Sequence, residues 1–263
     1  MGDGTETGDA APSVTFETKV WEGDYRVVLT EERLSAALDR NCFEFARRVV
    51  HVNNVDNRRA VERRARSVVA AGLVDDVVFV EDHAASALDH FGLTVTDLGR
   101  GYVYSISELV SIYLATTDHV LHFAGDTILS QEYNWLPDAL DLLRRRPDVA
   151  VVNLSWTSDI TAVEAESEDR DGDFLLGYGF SDQMYLVRTS DFSAQIYGES
   201  HPASDRYPDY GGELFEKRVD SWMRNHSRLR ATWTDGYYAH ENIRAPGLKN
   251  RLRGSWFMPG GGR

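Results

Sequence analysis

The chain has 263 residues, 42% of them hydrophobic and 27% charged, enough to bury a sizeable core in one large domain. Its formal net charge of −14 argues against nucleic acid and anionic membrane surfaces as partners. The single cysteine, Cys42, excludes an internal disulfide and a cysteine zinc cluster, and no apolar run approaches the roughly 20 residues that span a bilayer.

Residues 1–12 have no basic start and no apolar core, so they read as a disordered leader on a cytoplasmic protein. Residues 13–20 predict a strand, with Val14, Phe16 and Val20 on one face and threonines interleaved. Residues 31–45 predict a helix, because Leu34, Leu38, Cys42 and Phe45 recur at helical spacing. A buried strand follows at 48–53. A helix over 57–72 presents Val61, Ala65, Val68 and Val69 and is closed by Gly72. A third strand is expected at 77–81 and a short helix at 84–91. In the strongly periodic helix over 105–115, Ile106, Leu109, Val110, Tyr113 and Leu114 share a face.

A strand at 119–123 then runs into Gly125 and Asp126. Leu136, Ala139, Leu140 and Leu143 mark another helix, and 149–154 another strand. Residues 155–176 carry Glu164, Glu166, Glu168, Asp169, Asp171 and Asp173 with few large apolar groups, which predicts a mobile acidic loop. A strand over 180–188, a helix over 213–226 and an extended segment over 231–240 complete the domain. Residues 244–263 form a tail with five basic residues and no acid. Strands alternating with helices imply a single α/β domain over 13–243, with a mixed, mostly parallel central sheet flanked by helices.

Four polar clusters fall where strands end or helices begin: Thr18 to Glu22, Asn53 to Asp56, Gly99 to Ser105, and Ala124 to Thr127. In open α/β sheets ligands bind beyond the carboxyl ends of strands. Asp126, placed there after a glycine, is suited to hold a metal or a ligand hydroxyl, or to cap a turn. Thr18, Glu22, Asn53 and Asp56 suit a nucleotide base and ribose. Gly101 and Ser105, at a helix start, suit close approach to phosphate or sugar. Neither a dinucleotide fingerprint nor a phosphate loop of the G-x-x-x-x-G-K-[ST] type is present.

The order of these elements resembles the GT-A glycosyltransferases, particularly family-2-like enzymes that use a nucleotide-diphosphate sugar. VVHVNNVD resembles the family's strand ending in a base reader. GRGYVYSISELVSIYLATTDHVLHFAGD resembles its central block, in which a helix and strand lead into an Asp-x-Asp metal motif. WLPDALDLLRRRPDVAVVNLSW resembles the helix and strand after that motif, and GFSDQMYLVR the acceptor-side strand. GGELFEKRVDSWMRNHSRLRATWTDGYYAHEN resembles the closing helix and strand, which end in a histidine.

The resemblance implies a GT-A-like, Rossmann-like fold and transfer of a sugar from a UDP- or GDP-sugar to a saccharide or other hydroxyl acceptor. It implies Mn²⁺ or Mg²⁺ on Asp126 and His240, and a catalytic base at Glu213, with Asp209 as second choice. Arg251 or Arg253 of the tail would contact the diphosphate. Trp156, Tyr178, Tyr185, Trp233, Tyr237 and Tyr238 would suit stacking on sugar rings. The sequence departs from the pattern at Ala124, where the metal motif carries its first acid, and at Asn53, where the base reader is an aspartate. The Ala124 departure leaves room for a catalytically impaired binding protein. A sugar-phosphate nucleotidyltransferase of related architecture is the other alternative, although TKVWEGDYR lacks that class's glycine- and base-rich signature.

Overall fold

The computed structural model describes residues 11–208, 212–241 and 243. In chain order they form β1 (Val14–Val20), α1 (Tyr25–Val28), α2 (Glu31–Asp39), β2 (Arg47–Val52), α3 (Arg58–Ala70) and β3 (Asp76–Phe79). Next come α4 (Ala84–Phe91), α5 (Val95–Leu98), α6 (Tyr102–Leu114), β4 (His119–Phe123), β5 (Thr127–Leu129) and α7 (Leu136–Arg145). The remainder is β6 (Val149–Ser155), α8 (Thr161–Glu164), β7 (Ser167–Asp171), β8 (Phe174–Gly177), β9 (Met184–Arg188), α9 (Thr189–Phe192), α10 (Phe215–Asn225) and β10 (Leu229–His240).

The expected mixed α/β sheet is the one observed, in the order β3-β2-β1-β4-β9-β6-β10-β8-β7, with β5 paired to β10. The β3-β2-β1-β4 half is parallel, as is β6 with β10. β9 runs antiparallel between β4 and β6, and β8 and β7 extend the far edge as an antiparallel hairpin.

Alternation along β1 assigns its two faces. Val14 and Phe16 enter a core with Leu121, Phe123, Val152 and the buried side of α7. The opposite face is covered by α4, α6 and α10, whose apolar residues cluster with Val120, Tyr185 and Val187. A smaller core joins Val20, Val28 and Leu34 to Val61 and Val68 of α3. No helix among the described residues is long and apolar enough to cross a membrane.

Several local expectations are corrected. The helix expected over 31–45 ends at Asp39, and Cys42 is exposed with φ of 47° instead of lining a helical face. Trp135 outcompetes that continuation: it is fully buried and donates its indole N–H to Asn41 Oδ1 at 3.1 Å, which holds the chain in a turn. Val69, expected on the buried line of α3, is exposed.

The segment expected as a mobile acidic loop, 155–176, holds α8, β7 and most of β8. Its charges lie on an edge strand, where they blunt edge-to-edge pairing, and Asp171 accepts from Arg145 at 2.7 Å and Arg146 at 3.0 Å. The 244–263 tail, with Arg251 and Arg253, lies outside the described residues, as does Asp209.

Trp135→Ala removes a fully buried indole and strands the Asn41 carbonyl. We expect a loss of about 3–5 kcal/mol, read as a lower urea midpoint at unchanged slope.

Candidate functional site

β4 ends at Phe123, and the chain turns through Ala124–Gly125–Asp126 into β5, closed by Thr127 N–H donating to Ala124 O at 2.9 Å. β5 pairs antiparallel with the end of β10, which sets His240 opposite Thr127. Glu241 N–H donates to Asp126 O at 2.8 Å. This ladder brings the Asp126 and His240 side chains together, Oδ2 to Nε2 at 3.0 Å, both partly open to solvent. The contact raises the His240 pKa above its ordinary value, chiefly through the hydrogen bond to Asp126, with the charge of Asp182 adding to it.

The turn is clamped from three sides. Arg33 donates to Gly125 O and Thr127 O, both at 3.2 Å, and pairs with Glu241. Gln183 accepts from Ala124 N–H at 2.8 Å and from the Thr127 hydroxyl at 2.9 Å. Beneath the turn lies Asp24, buried, accepting from Trp21 N–H at 2.8 Å. Burial pushes the Asp24 carboxyl up to about 7, and the nearby Asp126 charge adds to the shift. A Cβ on Gly125 would meet Lys19 O at 2.5 Å and Asp24 Oδ2 at 2.9 Å, so only glycine fits here.

Behind the turn runs a buried polar ladder on the α6-facing side of the sheet. Glu17 of β1 accepts from His51 Nδ1 at 2.9 Å and from His122 Nδ1. Burial opposes ionisation of Glu17, yet the two imidazoles together hold its carboxyl well below the usual range. His122 Nε2 faces Asp182 O at 2.9 Å, and its ring stacks on Tyr185 at 4.6 Å. Two residues on, Lys19 pairs with Glu108 and with Asp182 at 3.2 Å. Burial works against the Lys19 charge, but the two carboxylates raise its pKa.

Glu216, in the first turn of α10, is pushed up to about 8 by burial and by the charge of Asp182, whose backbone N–H it accepts. Asp182 is thus the group whose charge reaches both His240 and Glu216.

Of the residues singled out from sequence, Asp126 and His240 meet. Glu22 and Asp56 also meet: the Glu22 carboxylate accepts Asp56 N–H at 3.0 Å and pairs with Arg26. Asn53 donates its amide to Val103 O at 3.0 Å, tying the end of β2 to the start of α6. Thr18 is buried within β1.

The helix start expected to cradle phosphate is instead covered by protein. Ser105 Oγ accepts Phe215 N–H at 2.8 Å, and a Cβ on Gly212 would meet Gly101 N at 3.0 Å. Glu213, expected as the base, points to Lys217 at 3.1 Å. The carboxyl one helical turn further in, Glu216, joins the Asp182 cluster. Among the six aromatics, Tyr185, Trp233 and Tyr238 are core, while Trp156, Tyr178 and Tyr237 are partly exposed.

Glu17, Lys19, Glu108, Asp182 and Glu216 were not anticipated. A signal existed for the first two: charged residues alternating inside a strand flanked by VVHV and VLHF, each with a histidine facing the same side. Nothing local marked Glu216 over Glu213. A cavity of about 210 Å³ between α2 and α3, lined by Thr30, Glu31, Arg64 and Ser67 among others, lies apart from this chemistry.

A divalent cation fits the Asp126–His240 pair as two protein ligands. Bonds of about 2.1 Å to adjacent octahedral positions put donor atoms about 3 Å apart, the observed spacing. No cluster of three or more potential ligands exists among the described residues, so the remaining positions would belong to ligand oxygens and water.

No protein-family model and no curated relative matches the chain. Solved structures do. One is glucosyl-3-phosphoglycerate synthase from Mycobacterium tuberculosis, crystallised with Mn²⁺, UDP-glucose and phosphoglyceric acid: 16% identity over 89% of this chain and 73% of that one, TM-score 0.49. The same enzyme with Mg²⁺ and UDP matches at a TM-score of 0.48, again at 16% identity over 89% of this chain and 73% of that one. TarS of S. aureus matches at 12% identity over 86% of this chain and 36% of that one, TM-score 0.48.

Two titrations test the site. The imidazolium of His240 is favoured by Asp126, so the stability it contributes is complete below the ordinary histidine pKa of about 6.5 and is lost as pH rises through the raised value. We expect Asp126→Asn to lower the His240 midpoint seen by NMR. We expect Gly125→Ala, which forces the turn off Lys19 O, to do the same while leaving the other histidine resonances in place.

Proposed function

We propose that this chain is a glycosyltransferase that moves a hexose from a nucleotide-diphosphate sugar to a hydroxyl acceptor in one inverting displacement, with Mn²⁺ or Mg²⁺ assisting, in the cytoplasm. The observation that carries this reading is the Asp126–His240 pair, 3.0 Å apart and partly exposed at the carboxyl end of β4. An oxygen and an imidazole donor at that separation suit a hard or borderline divalent cation. When bound, the cation would neutralise charge building on the departing diphosphate.

The chain's own residues do the rest. Arg33 and Gln183 keep the Asp126 turn rigid, so the two ligands stay preorganised. Glu22 and Asn53, at the ends of β1 and β2, would meet the nucleoside on exchanging their present contacts with Asp56 N–H and Val103 O. Glu216 replaces Glu213 as the proposed base: its carboxylate takes the acceptor hydroxyl proton as oxygen attacks the sugar. A value of about 8 makes that carboxylate a strong proton acceptor but the minority form at pH 7, so turnover should rise as pH approaches 8. Lys19, locked to Glu108 and Asp182, fixes the neighbouring negative charge and takes no part in proton transfer.

Ala124 supports a second reading, a binding protein with impaired catalysis, because Asp126 and His240 are the only two protein ligands offered among the described residues. Incubation with UDP-, GDP- and dTDP-sugars, with and without Mn²⁺, separates the possibilities. Metal-dependent turnover of one sugar nucleotide supports the transferase. Metal-dependent binding without turnover supports the impaired protein. Activity only with a nucleoside triphosphate and a sugar phosphate identifies a nucleotidyltransferase and ends the proposal.

We expect Asp126→Ala to abolish metal-dependent donor binding measured by calorimetry. Glu216→Gln should keep donor binding and lower kcat by about 10²–10⁴-fold, the range for loss of a general base. Glu213→Gln should leave kcat within about threefold. The reverse ranking of the two glutamine variants would return the base to Glu213.

A further inference from the structure

The loop between β8 and β9 carries a second, separate concentration of charge. At Gly179 the backbone takes φ of 123°, and two guanidinium groups converge on it: a Cβ there would lie 2.5 Å from Arg206 Nη2 and 3.0 Å from Arg230 Nη1. Arg206 is exposed, whereas Arg230, at the start of β10, is 5% exposed. The face of Arg230 rests on Trp156, with Cζ 5.1 Å from the ring centroid. Its Nε and Nη2 have no hydrogen-bond partner among the described residues. Its one carboxylate, Glu166, stands at 3.6 Å and is itself half exposed.

A guanidinium at such depth, with one half-exposed carboxylate at 3.6 Å, is costly, and leaving two of its nitrogens unmet costs more. Burial, with the charge of Arg206 adding to it, disfavours the charged form of Arg230, and Glu166 only partly opposes this. Glu166 is the near counter-charge, and Asp220, whose charge also acts on Arg206, is already paired with Arg224, which leaves a net positive centre on a chain of formal charge −14. Guanidinium groups meet phosphate or carboxylate through paired N–H donors, and two converging ones suit a single oxyanion.

The position links this centre to the proposed transferase site. Gly179 lies three residues before Asp182, whose charge reaches His240 and Glu216. The Tyr238 hydroxyl, hydrogen-bonded to Ser181, lies within reach of the charges of Asp182, Arg230 and Glu216 at once.

We propose that Arg206 and Arg230 form an oxyanion site that holds a phosphate or carboxylate of the acceptor, so that the acceptor is an anionic hydroxyl compound. The inference rests on the transferase reading for the word acceptor, but not for the anion site itself. Trp156 lies under Arg230 and supplies a floor, and Gly179 supplies the close backbone approach.

The test uses the full chain and three arms. Inorganic phosphate is titrated calorimetrically at fixed ionic strength into the wild type, Arg206→Gln and Arg230→Met. Arg206 is exposed, so its variant keeps the test valid if Arg230→Met does not fold. We expect saturable binding to the wild type, weakened roughly tenfold to a hundredfold in Arg206→Gln, as for loss of a charged hydrogen bond. UDP with Mn²⁺ is titrated in parallel and should bind the wild type and Arg206→Gln equally. With a turnover assay in hand, KM for phosphate- or carboxylate-bearing acceptors should rise by a similar factor in Arg206→Gln, with kcat nearly unchanged. KM for neutral acceptors should not move.

Phosphate binding that is equal in wild type and Arg206→Gln, or absent from both, overturns the site even if sugar transfer is observed. Weakened UDP binding with an unchanged acceptor KM assigns the arginines to the donor diphosphate and overturns the acceptor assignment. Phosphate binding that Arg206→Gln weakens upholds the anion site, even in a protein that transfers no sugar.

Discussion

The pairing of Lys19 with Asp182, at the partly exposed end of a buried charge ladder, is the constraint on which the rest of the site depends. β1 is flanked by β2 and β4, and its Glu17 and Lys19 point to the α6 side between their histidines. Glu17 joins His51 of β2 to His122 of β4, and His122 passes the connection to the backbone of Asp182. Buried ion pairs of this kind seldom add net stability over an apolar substitute, because desolvation consumes the Coulomb gain. Breaking one by removing a partner is expensive, since a charge is left alone. Their effect here is to specify position: the residues just before β9 can settle at only one place over the end of β4.

That placement is transmitted outward through Gln183. It follows Asp182 directly, and it holds Ala124 by its backbone and Thr127 by its side chain. The turn bearing Asp126 is therefore hung from the same loop that Lys19 anchors. Arg33 reaches the turn from α2, and β10 closes it from the other side with His240. Elements distant in sequence thus converge on one short turn, and each contributes a hydrogen bond with a definite direction. Preorganisation of this kind is what a metal or oxyanion ligand set requires.

The alternating α/β order, the strand at 119–123 and the buried faces of α6 and α7 were legible because they follow from periodicity and element order, and the Asp126–His240 meeting was implied by the resemblance to the GT-A order. What was hidden depended on partners far away in the chain. The helix expected through Phe45 stops at Asp39 because Trp135, nearly a hundred residues later, engages Asn41. The acidic run near 164–173 reads as a loop from its composition, yet it folds as an edge strand, where exposed charge is no obstacle and Arg145 and Arg146 neutralise Asp171. Ser105 has the look of a ligand-facing helix start. Only the approach of α10 shows that Phe215 N–H already occupies its hydroxyl. Glu213 and Glu216 lie three residues apart on one helix end, and only the tertiary position of Asp182 distinguishes them.

The missing acid at Ala124 can be understood from the same charge balance. Ala124 is buried, with its N–H committed to Gln183, and Asp24 and Asp126 already crowd the turn. Asp24 responds by holding its proton to about pH 7, and Glu216, beside Asp182, to about pH 8. A further carboxylate at 124 would enter a region that already keeps two acids partly neutral, with Lys19 spent on Glu108 and Asp182. It would either protonate as well, and so be a poor ligand, or force charge into the interior at high cost. An imidazole from β10 avoids that penalty. His240 would be neutral as a ligand, and Asp126 favours its imidazolium form otherwise, so it would add a donor atom without adding negative charge.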